Sequence, residues 1–155
     1  MLIRADGAAR GNPGPAAAGA VIIDLESSYP YAPDASPAAV IARPLGIQTN
    51  NYAEYTAVVL ALEKAEELGA REAELILDSQ LVVEQLSGRW KVKHPAIKPL
   101  VARAQELLAG FDRWSVRHER RASNFAADAL ANLALDDPDA ARAAEASART
   151  NVRKG

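Results

Sequence analysis

The chain has 155 residues, 49% hydrophobic and 25% charged, with a formal net charge of −2 and no cysteine. That length suits one domain burying roughly 68–70% of the surface its unfolded chain exposes. The missing cysteines exclude disulfides and thiolate zinc sites, the slightly acidic balance argues against coating nucleic acid through bulk charge, and the apolar runs fall short of the ~20 residues of a membrane span.

Leu2 to Asp6 reads as a short strand, followed by a turn-rich segment from Gly7 to Pro15 centred on Gly11-Asn12-Pro13-Gly14. Ala17 to Leu25 is a second strand, paired with the first as a hairpin. Glu26 to Pro37 contains Pro30, Pro33 and Pro37 and is expected to be an irregular loop without an assigned role. Ala38 to Leu45 makes a third strand. A helix is expected from about Asn51 to Leu68, stopped by Gly69. The apolar Leu75-Ile76-Leu77 lies in a strand from Glu74 to Asp78, and helices follow at Gln80–Leu86 and within Pro95–Gly110. Trp114 to His118 is a fifth strand and Ser123 to Leu135 a further helix. From residue 137 to 155 the chain is polar and alanine-rich, which admits either a helical extension or a frayed tail beyond a catalytic unit of residues 1–136. The expected class is α/β: a five-stranded mixed sheet, an antiparallel meander plus parallel strands, flanked by helices.

Four acids stand at the ends of these elements. Asp6 closes the first strand, where a turn aspartate bonded to its own backbone is the plain alternative. Glu54 heads a helical stripe with Val58, Ala61, Ala65 and Leu68; it also suits a capping box with Asn51 as N-cap. Asp78 lies at the carboxyl end of a strand, where ligand sites of open α/β sheets gather, or it is the N-cap of the next helix. Asp128 shares a face with Ala131 and Leu135 among small residues that permit close packing, or it is a solvated helix acid. Clustered carboxylates repel one another, and a hard divalent cation with oxygen ligands relieves them.

Basic residues are unevenly spread. Arg89, Lys91, Lys93, Lys98 and Arg103 fall in a stretch free of acids between Glu84 and Glu106, with Trp90 among them, and Arg113, Arg117, Arg120 and Arg121 form a second group. An aromatic beside cations suits a nucleic-acid surface, whereas a charge run alone suits a solvated face.

The residues around the acids resemble the ribonuclease HI family. Its motifs occur in order as Asp6-Gly7-Ala8-Ala9-Arg10-Gly11-Asn12-Pro13-Gly14-Pro15, Thr49-Asn50-Asn51-Tyr52-Ala53-Glu54-Tyr55, Leu77-Asp78-Ser79-Gln80-Leu81-Val82 and Asn124-Phe125-Ala126-Ala127-Asp128-Ala129-Leu130-Ala131-Asn132. The resemblance spans about Met1 to Leu135. It implies a ribonuclease H-like fold and two Mg²⁺ or Mn²⁺ ions on Asp6, Glu54, Asp78 and Asp128. It also implies endonucleolytic hydrolysis of the RNA strand of an RNA–DNA hybrid, leaving 3′-hydroxyl and 5′-phosphate ends. Asn12, Asn50 and Gln80 match positions that contact the hybrid, and His118 matches a histidine on a mobile loop that assists proton transfer or product release. Ser87 to Leu100 is short where some members carry a long basic protrusion, as in the compact bacterial and archaeal type. Arg89, Lys91 and Lys93 are therefore expected to touch phosphates with a weak grip, and His94 to be surface. A cytoplasmic, monomeric protein with no membrane and no obligate protein partner is expected. A related DNA-cutting nuclease and a non-catalytic nucleic-acid binder are the competing readings.

Overall fold

Three strands, β1 (Leu2–Ala9), β2 (Gly14–Ile23) and β3 (Ala39–Gln48), form an antiparallel meander. β4 (Glu72–Leu77) pairs parallel to β1 and β5 (Arg113–His118) parallel to β4, giving the sheet order β3-β2-β1-β4-β5. The computed structural model describes residues 1–154, with the side chains of all of these except Ala122 and residues 148–154.

Helices α1 (Asn50–Glu67), α2 (Gln80–Leu86) and α3 (Lys98–Ala109) cover one face of the sheet. A 3₁₀ turn (Arg121–Asn124) leads into α4 (Phe125–Asp136), which with α5 (Pro138–Lys154) covers the other. The expected mixed sheet and its flanking helices are present. No helix among the described residues is long and apolar enough to cross a membrane.

The two-sided cover explains the composition of β2. As the strand lying between β1 and β3, it is buried on both faces, so Ala16 to Ile23 carries no polar side chain. The α1 face holds the larger part of the core, in which Tyr55, Val58 and Leu62 are buried; a fully buried side chain of this kind contributes about 1.5–3 kcal/mol. β5 is an outer strand, exposed except for the half-buried Val116, and carries charge. Arg113 pairs with Glu72 of β4, and Arg117 lies 4.0 Å from Glu74.

Several boundaries differ from expectation. β1 does not stop at Asp6 but continues through Gly7, Ala8 and Ala9, because these pair with Ala18, Ala17 and Ala16 of β2. The turn is therefore confined to residues 10–13 and contains a cis Asn12–Pro13 bond. α3 lies within the expected Pro95–Gly110 stretch, from Lys98 to Ala109, with Pro99 in its first turn, where a missing N–H is harmless.

The alanine-rich end is a helix, and the last residue of that stretch, Gly155, lies outside the described residues. Ala141 of α5 is fully buried, and Glu145 reaches the outer strand β3. Its carboxylate accepts from Ala42 N–H at 3.0 Å and pairs with Arg43 at 2.8 Å.

Candidate active site

Asp6 faces the α4 side of the sheet, opposite Gly19 of β2. A Cβ on Gly19 would lie 2.1 Å from the Ala127 carbonyl oxygen and 2.5 Å from Ala131 N, so the backbone of α4 rests directly on the strand there. Ala127 and Ala131 are fully buried at this contact, and Asp128 between them is carried to Asp6. The neighbouring residue in β1 repeats the arrangement on the opposite face. A Cβ on Gly7 would lie 2.2 Å from Glu54 N and 2.3 Å from Ala53 C, so α1 lies on β1 and brings Glu54 beside Asp6. The fourth acid arrives by strand register: Ala5 pairs with Leu77, and Asp78 follows Leu77 as Asp6 follows Ala5. The four carboxylates come from four elements and meet at one position of the sheet.

This geometry decides the alternatives left open by the sequence. Asp6 is 3% exposed within a strand, so it is not a turn residue. Thr49, not Asn51, caps α1: its hydroxyl accepts from Tyr52 N at 3.2 Å, which moves Glu54 beyond the capping-box position. Ser79, not Asp78, caps α2, accepting from Val82 N at 3.3 Å. Asp128 is half-buried rather than solvated. Glu54 and Asp78 are thus released from local duties.

Their mutual proximity is costly. Asp6 is pushed up to about 8, first by burial, then by the charge of Asp78, a hydrogen bond with Asp128, and the charges of Asp128 and Glu54. Glu54 is pushed up to about 7, mainly by burial; a Ser79 hydrogen bond and Arg121 act against this, and Asp78 adds to it. Glu54 Oε2 and Asp78 Oδ2 are buried without a hydrogen-bond partner. Such orphaned oxygens in an acid cluster suit a hard cation. No three His, Asp or Glu side chains among the described residues are already gathered around one ion-sized point.

The residues expected around the acids fall into two groups. Asn12 and Asn50 meet in a cleft of about 430 Å³ that also includes Thr49, Asn51, Glu54, His94 and Ile97. Asn12 Oδ1 accepts from Asn50 N at 3.1 Å, and Asn50 Oδ1 accepts from Ala9 N at 2.9 Å. Both carbonyl oxygens are thereby engaged, which leaves the side-chain NH₂ groups as the remaining polar atoms of the two amides. His94, read from sequence only as surface, lines this cleft. Its Nδ1 accepts from Ala96 N at 3.1 Å, which leaves the proton on Nε2.

Gln80 is exposed at the start of α2. His118 is exposed at the end of β5, its Nε2 3.2 Å from the backbone carbonyl oxygen of Asp78. The basic group is split. Lys91 and Lys93 are exposed without an ion pair among the described residues, whereas Arg89 is held by Glu84 through two contacts, at 2.5 and 3.2 Å.

Sequence reasoning missed Arg121, whose Nε lies 3.7 Å from Asp78 Oδ2 although its side chain is 84% exposed. It was visible only as one member of a basic run. Asn124, quoted only as part of a motif, is buried and donates to the Ala5 carbonyl at 3.0 Å.

Comparison with known proteins identifies the family. Residues 4–134 match the family model described as reverse transcriptase-like. Ribonuclease HI of Halobacterium salinarum is 48% identical over 132 residues, covering 85% of this chain and 62% of the relative. The crystal structure of RNase H1 from that archaeon, with 47% identity, superposes with a TM-score of 0.79 and covers 88% of this chain and 97% of its own. The N-terminal RNase H domain of Rv2228c from Mycobacterium tuberculosis has 46% identity and a TM-score of 0.80, covering 87% of this chain and 98% of that one. LC11-RNase H1, solved in complex with an RNA/DNA hybrid, has 34% identity and a TM-score of 0.77, covering 88% and 97%. The chain spans 62% of the length of the curated Halobacterium protein and 38% of the bifunctional protein Rv2228c. With a family model matched over most of its length and the same fold at nearly half identity, the chain belongs to the ribonuclease HI family.

Proposed function

We propose that the protein is an endonuclease that hydrolyses the RNA strand of RNA–DNA hybrids with the help of two Mg²⁺ or Mn²⁺ ions, leaving 3′-hydroxyl and 5′-phosphate ends. The observation that carries this reading is the convergence of Asp6, Glu54, Asp78 and Asp128 on one sheet position, with Glu54 Oε2 and Asp78 Oδ2 buried without a hydrogen-bond partner. These four side chains would hold the ions. When bound, a pair of divalent cations activates a water and stabilises the leaving oxygen of a phosphodiester. A pure binder gains nothing from burying acids that repel each other, which disfavours the non-catalytic reading.

The rest of the site orients the substrate. Asn12 and Asn50 line the cleft, and their amide donors would meet phosphate oxygens, base acceptors and the 2′-hydroxyl that marks RNA; Gln80 suits the same role from the start of α2. Lys91 and Lys93 are free to meet phosphates, and Arg89 contributes less while Glu84 holds it. The ring of His118, whose Nε2 lies 3.2 Å from the Asp78 carbonyl oxygen, would hold or pass a proton at the strand end. All four acids lie within residues 1–136, which we take as the catalytic unit, with α5 as a brace.

Matched RNA–DNA, RNA–RNA and DNA–DNA duplexes test the reading. Only the hybrid should be cut efficiently, cutting should stop in EDTA, and Mg²⁺ or Mn²⁺ should restore it. Efficient cutting of DNA–DNA would favour the DNA-cutting alternative, and hybrid binding without cleavage the non-catalytic one. Changing both Lys91 and Lys93 to alanine should flatten the salt dependence of hybrid binding by up to two phosphate contacts, about 0.7–0.9 per contact in the log–log slope. An unchanged slope removes them from the interface. His118→Ala is expected to lower turnover by about 10²-fold, the lower end of general acid–base contributions, with KM little changed; unchanged turnover would leave the histidine without a catalytic role.

A further inference from the structure

Arg4 lies on the α4 face of β1, two residues before Asp6, and is only 2% exposed. Its neighbours on that face are apolar: Leu2, Val21, Ile23 and Ile76. A guanidinium in such a place is costly unless it is paired and hydrogen-bonded. Arg4 is paired, and its three partners come from two segments distant in sequence. Nη1 donates to Glu119 Oε1 at 3.3 Å and to the Ser123 carbonyl at 3.2 Å, and Nη2 donates to the Tyr31 carbonyl at 3.1 Å.

Both segments matter. Residues 119–124 link His118 to α4, so their placement sets where Arg121, Asn124 and Asp128 sit. Asn124 fixes the same segment to β1 by donating to the Ala5 carbonyl. Tyr31 belongs to the proline-rich loop that had no assigned role. Its hydroxyl donates to Glu74 Oε2 at 2.7 Å, and Arg117 lies 5.6 Å over its ring while also bonding Glu119 at 3.1 Å. The contacts close a circuit from Arg4 through Tyr31 and Arg117 to Glu119 and back to Arg4.

We infer that Arg4 is a positioning residue, a buried staple that holds the 119–124 segment against β1 so that Asp128 and Arg121 meet the other acids, with the proline-rich loop as its second anchor. This role rests on the nuclease reading of the site. Positioning alone has large leverage on turnover, because a misplacement of about 1 Å can cost on the order of 10²-fold.

The test is Arg4→Met, which keeps most of the volume and removes the donors. Amide hydrogen exchange across residues 119–128 should accelerate about tenfold or more, with α1 and α3 unchanged, since the change loosens one local unit. On hybrid substrate, kcat should fall about 10- to 100-fold with KM nearly constant, and Arg4→Lys should recover part of the loss. Glu119→Gln keeps shape and removes the ion pair, and it should speed exchange in the same segment even if Arg4→Met does not fold. Unchanged exchange across 119–128 in the folded variants, or a loss of melting temperature without a change in kcat, would overturn the role of Arg4. Because exchange is read on the protein alone, it separates this outcome from a failure of the wild-type protein to cut hybrids.

Discussion

Asp6→Asn should lower hybrid cleavage about 10³-fold or more while the protein stays folded and still binds hybrid. Asp6 is the acid around which Glu54, Asp78 and Asp128 gather. A metal supplies several kcal/mol of transition-state stabilisation, and each 1.36 kcal/mol is tenfold in rate. The same variant should change the response of the metal-free protein to pH. Folding lifts Asp6 from its ordinary value of 3.8 to about 8 and Glu54 from 4.5 to about 7. An acid raised in this way keeps its proton in the folded chain while the unfolded chain has lost it. Its burden on stability is absent below its unfolded value, grows as pH rises, and levels off above its folded value. Wild-type protein in EDTA should therefore lose melting temperature between about pH 4 and pH 8 more steeply than Asp6→Asn. Mg²⁺ should restore the wild type most at the alkaline end, because ligands that bind only the folded state stabilise it. Thermal melts across pH with and without metal, beside a cleavage assay, measure both effects. Cleavage at the wild-type rate, or parallel pH slopes, would remove Asp6 from the centre of the site.

Gly7→Ala should be nearly as damaging through shape alone. The new Cβ would stand 2.2 Å from Glu54 N and 2.3 Å from Ala53 C, and backbone atoms cannot swing aside as a side chain can. α1 must lift from the sheet by about an ångström. Overpacking of this kind typically costs about 1–3 kcal/mol, and more where backbones collide. At about 2–4 °C per kcal/mol for a domain of this size, the melting temperature should fall by roughly 2–12 °C. The lift displaces Glu54, so turnover should fall on the order of 10²-fold even at temperatures where the variant is folded. Gly46→Ala is the control: nothing lies within 4 Å of its Cβ, so it bears only the strain of a φ of +73° and should keep wild-type turnover. Equal turnover for Gly7→Ala and wild type would show that the contact is not needed to place Glu54.

The pattern of apolar runs and turn residues was enough to foresee five strands in a mixed sheet, because that pattern is local. The acids were legible as residues but not as a cluster. Thr49 and Ser79 lie beside Asn51 and Asp78, and propensity alone does not say which of two adjacent polar residues caps a helix. β1 ran past its expected end because pairing with Ala16, Ala17 and Ala18 outweighs the turn preference of Gly7. Arg121 and Arg4 were harder still. Each acts on a partner far away in sequence, Asp78 for one and Tyr31, Glu119 and Ser123 for the other, and no local spacing encodes such contacts. His94 looked like surface because it is exposed; its place in the cleft depends on α1 and the Asn12 turn lying opposite.

The contact between Glu145 and β3 bears on how the molecule meets others. An outer strand ordinarily presents a row of free N–H groups on which another extended chain can build. Here the donor of Ala42 is already taken by a carboxylate from α5, and Arg43 beside it is neutralised by the same group. A visiting strand would have to expel that carboxylate before it could add to the sheet at this point. Growth of the sheet by docking is therefore obstructed at this point of β3, on the opposite side of the sheet from β5.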